Sequence, residues 1–252
     1  HNCYQTFLNS RPDSMEINAI KNVIELSEKY KVRTHIVHLS SAAALDLLKE
    51  AKLSNVNLTV ETCYHYLTIS SENIPINGTQ YKCCPPIRDS TNREKLWNGL
   101  KENIIDMVVS DHSPCTPELK LLNEGDFIKA WGGISSLQFG LLIFWTEGIS
   151  RGLSIFDIKK YLCEMPAKLI GLHTRKGKIA ENYDADFVIW DPNGETIIEQ
   201  STIQHKNKVT PYVGRHLRGN IIKTIVRGEI VYEQNRPFSV PTGMLLVNEE
   251  LL

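Results

Sequence analysis

Residues 32–51 read VRTHIVHLSSAAALDLLKEA, and the change of period at the centre of this stretch decides the fold. The first eight residues are rich in β-branched side chains and form a short strand. From Ser40 onward the apolar positions fall at helical spacing, with a serine where an N-cap belongs. The same switch recurs on both sides. Upstream, RPDSMEINAIKNVIELSEKY (11–30) predicts a helix with Ile17, Ile20, Ile24 and Leu26 on one stripe, opened by Asp13 and Glu16 as a capping box. Downstream come a strand NLTVETC (57–63), a long connection through KCCPPIRD (82–89), a helix TNREKLWNGLKEN (91–103) with Thr91 and Glu94 as its capping box, and a strand IIDMVVSD (104–111). Further helical stretches follow at about 135–150 and 154–172, the second opened by Ser154 with Asp157 three residues on. Strands alternating with helices imply an α/β fold of parallel βα units with both sheet faces covered.

The texture changes near Lys176. GKIAENYDADFVIWDP (177–192) and IIKTIVRGEIVYE (221–233) are short strands set off by Gly, Asn and Asp, without helical periodicity. The expected organisation is therefore an α/β region over 1–175 and a small β domain over 176–252.

Composition narrows the function classes. The chain has 252 residues, 42% of them hydrophobic and 23% charged, enough to bury a large core. Lys and Arg (28) nearly balance Asp and Glu (29), so no basic field draws nucleic acid or an anionic membrane. A small or neutral partner is expected. No stretch approaches the ~20 apolar residues of a membrane span, and HNCYQTFLNSRP (1–12) does not read as a signal peptide. The six cysteines lack zinc-finger spacing and the density of a disulfide scaffold, which predicts reduced thiols in an intracellular, cytoplasmic or organellar protein rather than a secreted one.

In parallel α/β folds functional groups gather where strands end at their carboxyl edge. His35 and His38 lie at the end of the strand in 32–39, and their odd separation places them on opposite faces. His38, nearer the edge, is the better ligand candidate, balanced against a hydrogen-bonded structural histidine; His35 is expected to pack under the helices. Asp111 ends another strand, where a carboxylate must be hydrated, paired or metal-bound. Imidazole with carboxylate is a zinc-type donor set, and a carboxylate beside activated water can take its proton; an N-cap role for Asp111 is the plainer alternative. In KCCPPIRD two prolines stiffen a loop suited to a planar amide or imide, or simply to a tight crossover. In KAWGGISSLQ (129–138) paired glycines permit close approach to main chain. Glu61 and His65 in VETCYHYL (60–67) are expected to be structural, as a hydrogen-bonded pair or loop anchor.

Taken in order, SRPDSMEINAI, IVHLSSA, VETCYHYL, CCPPIRD, VVSDHSPC, KAWGGI, MPAKLIGL, GKIAENYDADFVIWDP and NKVTPYVGR resemble the cyclic amidohydrolases over essentially the whole chain. SDHSPC, KAWGGI and KVTPYVGR resemble the allantoinase branch in particular. The resemblance implies the carboxyl-terminal part of a TIM-like (β/α)8 barrel plus part of a β-sandwich assembled from both chain ends. It also implies a binuclear zinc centre with a carboxylated lysine, and hydrolysis of the cyclic amide of allantoin to allantoate. A homotetrameric full-length protein is implied as well.

Residue by residue, His38 matches a metal-binding histidine, and Asp111 matches the aspartate that binds metal and shuttles a proton. Cys84, Ser113, Gly132 and Gly133 match segments that hold substrate. The His-x-His, the carboxylated lysine and one further histidine have no match here and are expected upstream, so the isolated chain is expected to be inactive. Tyr64 stands where the family usually has proline, Cys84 where it often has serine, and Asn182 where glycine is common. Other implied activities are those of a dihydropyrimidinase or dihydroorotase, or a non-catalytic dihydropyrimidinase-like scaffold.

Overall fold

The computed structural model describes residues 1–238 and 240–246; the last residues of the expected β domain lie outside them. The described chain forms two compact units. One comprises His1–Gly140 with Ile198–Gly214, the other Leu141–Ile197 with the segment that begins at Arg215.

In the first unit α1 (Tyr4–Asn9) and α2 (Asp13–Tyr30) precede β1 (Thr34–Ile36), followed by α3 (Leu45–Leu53), β2 (Leu58–Cys63), α4 (Tyr64–Thr68), α5 (Ser90–Lys101), β3 (Met107–Val109) and α6 (Pro117–Lys120). The strands form a parallel sheet in the order β1-β2-β3, with Thr34 opposite Leu58 and Cys63 opposite Val109. This is the parallel βα architecture that the alternation predicts. Leu39, Leu48, Val60, Leu67, Leu96, Trp97, Leu100 and Ile105 are almost wholly buried around the sheet. The sheet pairing runs past the end of β1, since the Leu39 amide donates to the Glu61 carbonyl at 2.8 Å and the Thr62 hydroxyl to the Leu39 carbonyl at 2.7 Å. His38 is thereby held beside β2.

Two expected capping boxes are absent. α2 starts after Pro12, so Asp13 and Glu16 sit inside its first turns, where neither caps it. Glu16 instead accepts from the amides of Ser40 and Ser41 at 2.8 and 3.0 Å, and Asp13 accepts from the Ser41 hydroxyl, while Arg88 pairs with both carboxylates. Long-range donors took the carboxylates that local spacing assigned to the helix. In α5 the cap is Asp89, two residues before Thr91, and it accepts from the Asn92 amide at 2.7 Å. On α2, Leu26 is exposed; Ser27 occupies the buried position seven residues after Ile20, and its hydroxyl donates to the Val32 carbonyl.

In the second unit α7 (Gly140–Ile149), α8 (Ile155–Lys159), a π-helical turn (Lys160–Glu164) and α9 (Met165–Leu169) precede an antiparallel sheet of β4 (Phe187–Ile197), β5 (His216–Val226) and β6 (Glu229–Glu233). The Ser154–Asp157 capping box is present in full. Helix α7 packs on the sheet through Trp145, whose indole donates to the Pro192 carbonyl at 2.9 Å and meets Trp190 edge to face. Asn182 has φ 67°, the left-handed conformation that asparagine tolerates where glycine is common. Among the described residues all six cysteines are free, and no helix is long and apolar enough to cross a membrane.

Candidate metal and substrate site

The candidate site gathers at the carboxyl edge of the parallel sheet. His38 lies two residues past β1, His65 two past β2, and Asp111 two past β3. His38 and Asp111 both have positive φ, 41° and 42°, a backbone state that β-carbon-bearing residues hold only where the surroundings impose it. For His38 the constraint is visible: its amide donates to Glu61 Oε1 at 3.4 Å, while Glu61 Oε2 sits 3.0 Å from His35 Nε2. His35 Nδ1 is also 2.8 Å from the Thr59 hydroxyl. His35 is thus a strand histidine with both ring nitrogens engaged. Of the two roles expected for Glu61 and His65, the mutual pair is not formed: Glu61 pairs with His35 and anchors the His38 amide instead.

His65 has no exposed surface, and neither ring nitrogen has a hydrogen-bond partner among the described residues. His38 Nδ1 is likewise buried and unpartnered. Burial depresses the His65 pKa to about 3, and the neighbouring His38 and Lys120 charges act in the same direction, so its imidazole is neutral. Asp111 is half-buried. Burial raises its pKa, His38 opposes that shift, and Glu61 reinforces it. Cys63, His65 and Asp111 each present one donor atom, all within 4.8 Å of one another. Unpartnered neutral imidazole nitrogens beside a desolvated carboxylate fit a divalent cation of the zinc type. Asp111 does not cap α6, which starts at Pro117 with Thr116 as its N-cap residue. The signal for His65 was its place just past a strand end. It was outweighed because a lone buried histidine usually finds a hydrogen-bond partner.

Cys84, Ser113, Gly132 and Gly133 come together in space. A β-carbon on Gly132 would lie 2.9 Å from Cys84 Sγ; one on Gly133 would lie 2.0 Å from the Trp131 ring and 2.7 Å from the Ser113 carbonyl. The Ser113 hydroxyl donates to the Asp111 carbonyl at 2.9 Å and accepts from the Ile134 amide at 3.2 Å, so it braces main chain. His112 also braces this region: its Nδ1 accepts from the amides of Ser136 and Leu137, both at 3.2 Å. Lys120 ties the two loops together, donating to the carbonyls of Lys82, Trp131 and Gly133 at 3.0, 3.0 and 2.5 Å. Burial lowers its pKa to about 8. Cys84 also lines a groove with His35, His38 and Arg88.

The chain is similar to known proteins in sequence and in fold. The chain is 44% identical to the allantoinase of Saccharomyces cerevisiae (strain ATCC 204508 / S288c) over 252 residues, covering 98% of this chain and 54% of the relative. It is 60% identical to the mitochondrial allantoinase of Aquarana catesbeiana over 169 residues, covering 67% and 35% respectively. Among solved structures, the L-hydantoinase (dihydropyrimidinase) from Arthrobacter aurescens superposes with a TM-score of 0.89 at 28% identity, covering 95% of this chain and 53% of that one. The chain thus spans about half the length or less of these curated relatives. Residues 8–231 match the amidohydrolase family, and with the strand-edge histidines and aspartate in place, the chain belongs to that family.

Proposed function

We propose that this chain supplies part of the active site of a metal-dependent hydrolase that opens the cyclic amide of allantoin to give allantoate. Because the chain spans about half the length of its relatives, the activity is assigned to a polypeptide of their length that carries this segment. In that protein residues 1–175 contribute part of a (β/α) barrel and residues 176–252 part of a β-sandwich.

The observation that carries the metal-dependent chemistry is His65, both ring nitrogens unpartnered, within 4.8 Å of Asp111, while His38, whose Nδ1 is also unpartnered, acts electrostatically on both. His38 and Asp111 would hold zinc, with further ligands from outside this chain. The metal would lower the pKa of water and polarise the amide carbonyl. Asp111 takes a proton at Oδ and returns it to the leaving ring nitrogen, a task to which its raised pKa is suited. Cys84, Ser113, Gly132 and Gly133 would hold the substrate: the glycines let the Cys84 sulfur, the Trp131 ring and the Ser113 carbonyl pack against their main chain, and the Ser113 hydroxyl braces it. A homotetramer in the cytoplasm or an organelle is the assembly and setting proposed for the whole protein.

The substrate assignment rests on the 44–60% identity to proteins named allantoinase. The superposition on a hydantoinase supports a second reading, since allantoin is itself a substituted hydantoin. Incubating the zinc-loaded full-length protein that carries this segment with allantoin, hydantoins, dihydropyrimidines and dihydroorotate separates the two. Allantoate formation that fails with Asp111→Ala supports the first reading. Turnover of hydantoins or dihydropyrimidines alone supports the second, and no turnover of any member points to a non-catalytic scaffold.

A further inference from the structure

We propose that Cys63 and His65 are themselves metal ligands, forming with Asp111 a thiolate–imidazole–carboxylate donor set that this chain contributes in addition to the ligands from outside it. Sequence resemblance assigns metal binding to His38 and Asp111; nothing in it assigns Cys63 or His65. The proposal deepens the metal-dependent reading, and its test uses no substrate.

Three observations carry it. Cys63 is the last residue of β2 and pairs with Val109, the last residue of β3, so the two strand ends that precede His65 and Asp111 are locked side by side. Cys63 and His65 are both fully buried, and both ring nitrogens of His65 lack any partner. A buried polar atom without a partner is uncommon and asks for an unseen one. Sulfur, nitrogen and oxygen donors then lie within 4.8 Å of one another, a span that one tetrahedral cation can draw together. Soft thiolate with imidazole and carboxylate selects zinc or cobalt over magnesium or calcium. Asp111, the partly exposed member, leaves a side open for a fourth ligand. On loading, the Cys63 S–H bond breaks, a sulfur–metal bond forms, and the proton passes to the buffer.

The test is titration of the 252-residue chain with Co²⁺, followed by absorption spectroscopy. The expected result is one equivalent bound, with visible bands of tetrahedral intensity and a near-ultraviolet thiolate-to-cobalt charge-transfer band. Cys63→Ser removes the charge-transfer band, Cys83→Ser keeps it, and His65→Ala weakens binding at least tenfold. Absence of the band in the wild type, or its survival in Cys63→Ser, overturns the proposal. X-ray absorption of the zinc-loaded wild type decides independently of any variant's folding. A sulfur neighbour at about 2.3 Å supports the site, and nitrogen and oxygen neighbours alone overturn it. Allantoin hydrolysis is measured separately, so the failure of either proposal is recognisable on its own.

Discussion

His38 and Asp111 leave their strands in the same way. Each lies two residues beyond the last strand residue, Ile36 or Val109, and each turns into the left-handed region, at φ 41° and 42°. Such conformations cost on the order of 1 kcal/mol or more and persist where surrounding structure over-determines them. The shared offset aims both residues at the same edge, where His38 acts electrostatically on Asp111.

Asp111→Asn removes a proton acceptor and keeps the shape. In the full-length, metal-loaded protein, kcat for allantoin is expected to fall by about 10²–10⁴-fold, the usual range for a general acid–base group. Steady-state kinetics alongside a thermal melt check this. An unchanged kcat at unchanged melting temperature would remove Asp111 from the mechanism.

Lys120 gives the fold a pH signature. Its folded pKa, about 8, lies below the ordinary value of 10.5, so between these values the unfolded chain binds more protons and stability rises with pH. The penalty for burying the charge is fully present below about pH 8 and is relieved as pH approaches 10.5. Lys120→Met, which cannot titrate, is expected to lose that rise. Urea unfolding of both proteins at pH 7, 8, 9 and 10 measures the difference in slope.

The cap of α5 discriminates between neighbours. Asp89→Ala is expected to cost about 1 kcal/mol, because the Asn92 amide loses its acceptor. Thr91→Ala, inside the helix and not its cap, is expected to change stability by less than about 0.5 kcal/mol. Chemical denaturation of the two single variants reads this directly.

The paired glycines differ in what limits them. Gly133→Ala would drive a methyl into the Trp131 ring and the Ser113 carbonyl, and Gly132→Ala would meet only the end of Cys84. Gly133→Ala should therefore be the more destabilising, within the roughly 1–3 kcal/mol range of overpacking. Adding Cys84→Ala should rescue Gly132→Ala and leave Gly133→Ala unrescued. Melting temperatures of the four variants test it.

Much of this was legible in sequence because short-range physics writes it there. The change of period in 32–51 announced a strand followed by helix, and the strand-end rule picked out His38 and Asp111. Ser154 and Asp157 form the cap that their spacing predicts, each side chain accepting from the other residue's amide. Asp13 and Glu16 have similar spacing and do something else, because Ser40, Ser41 and Arg88 arrive from elsewhere in the chain to claim their oxygens.

The sequence by itself determined the parallel βα order, the β-rich texture of the later chain, and the two strand-edge residues, all of which depend on local periodicity. Only the tertiary structure decided that His65 is buried with both nitrogens unpartnered, that Glu61 serves His35, and that Lys120 fastens the Lys82 loop to the Trp131–Gly133 loop. The reason is physical. Hydrogen-bond partners and burial are set by groups distant in sequence, and an imidazole's role is fixed by what its nitrogens meet. His65 and Cys63 are two residues apart in the chain, but Asp111 reaches them only because β2 and β3 pair.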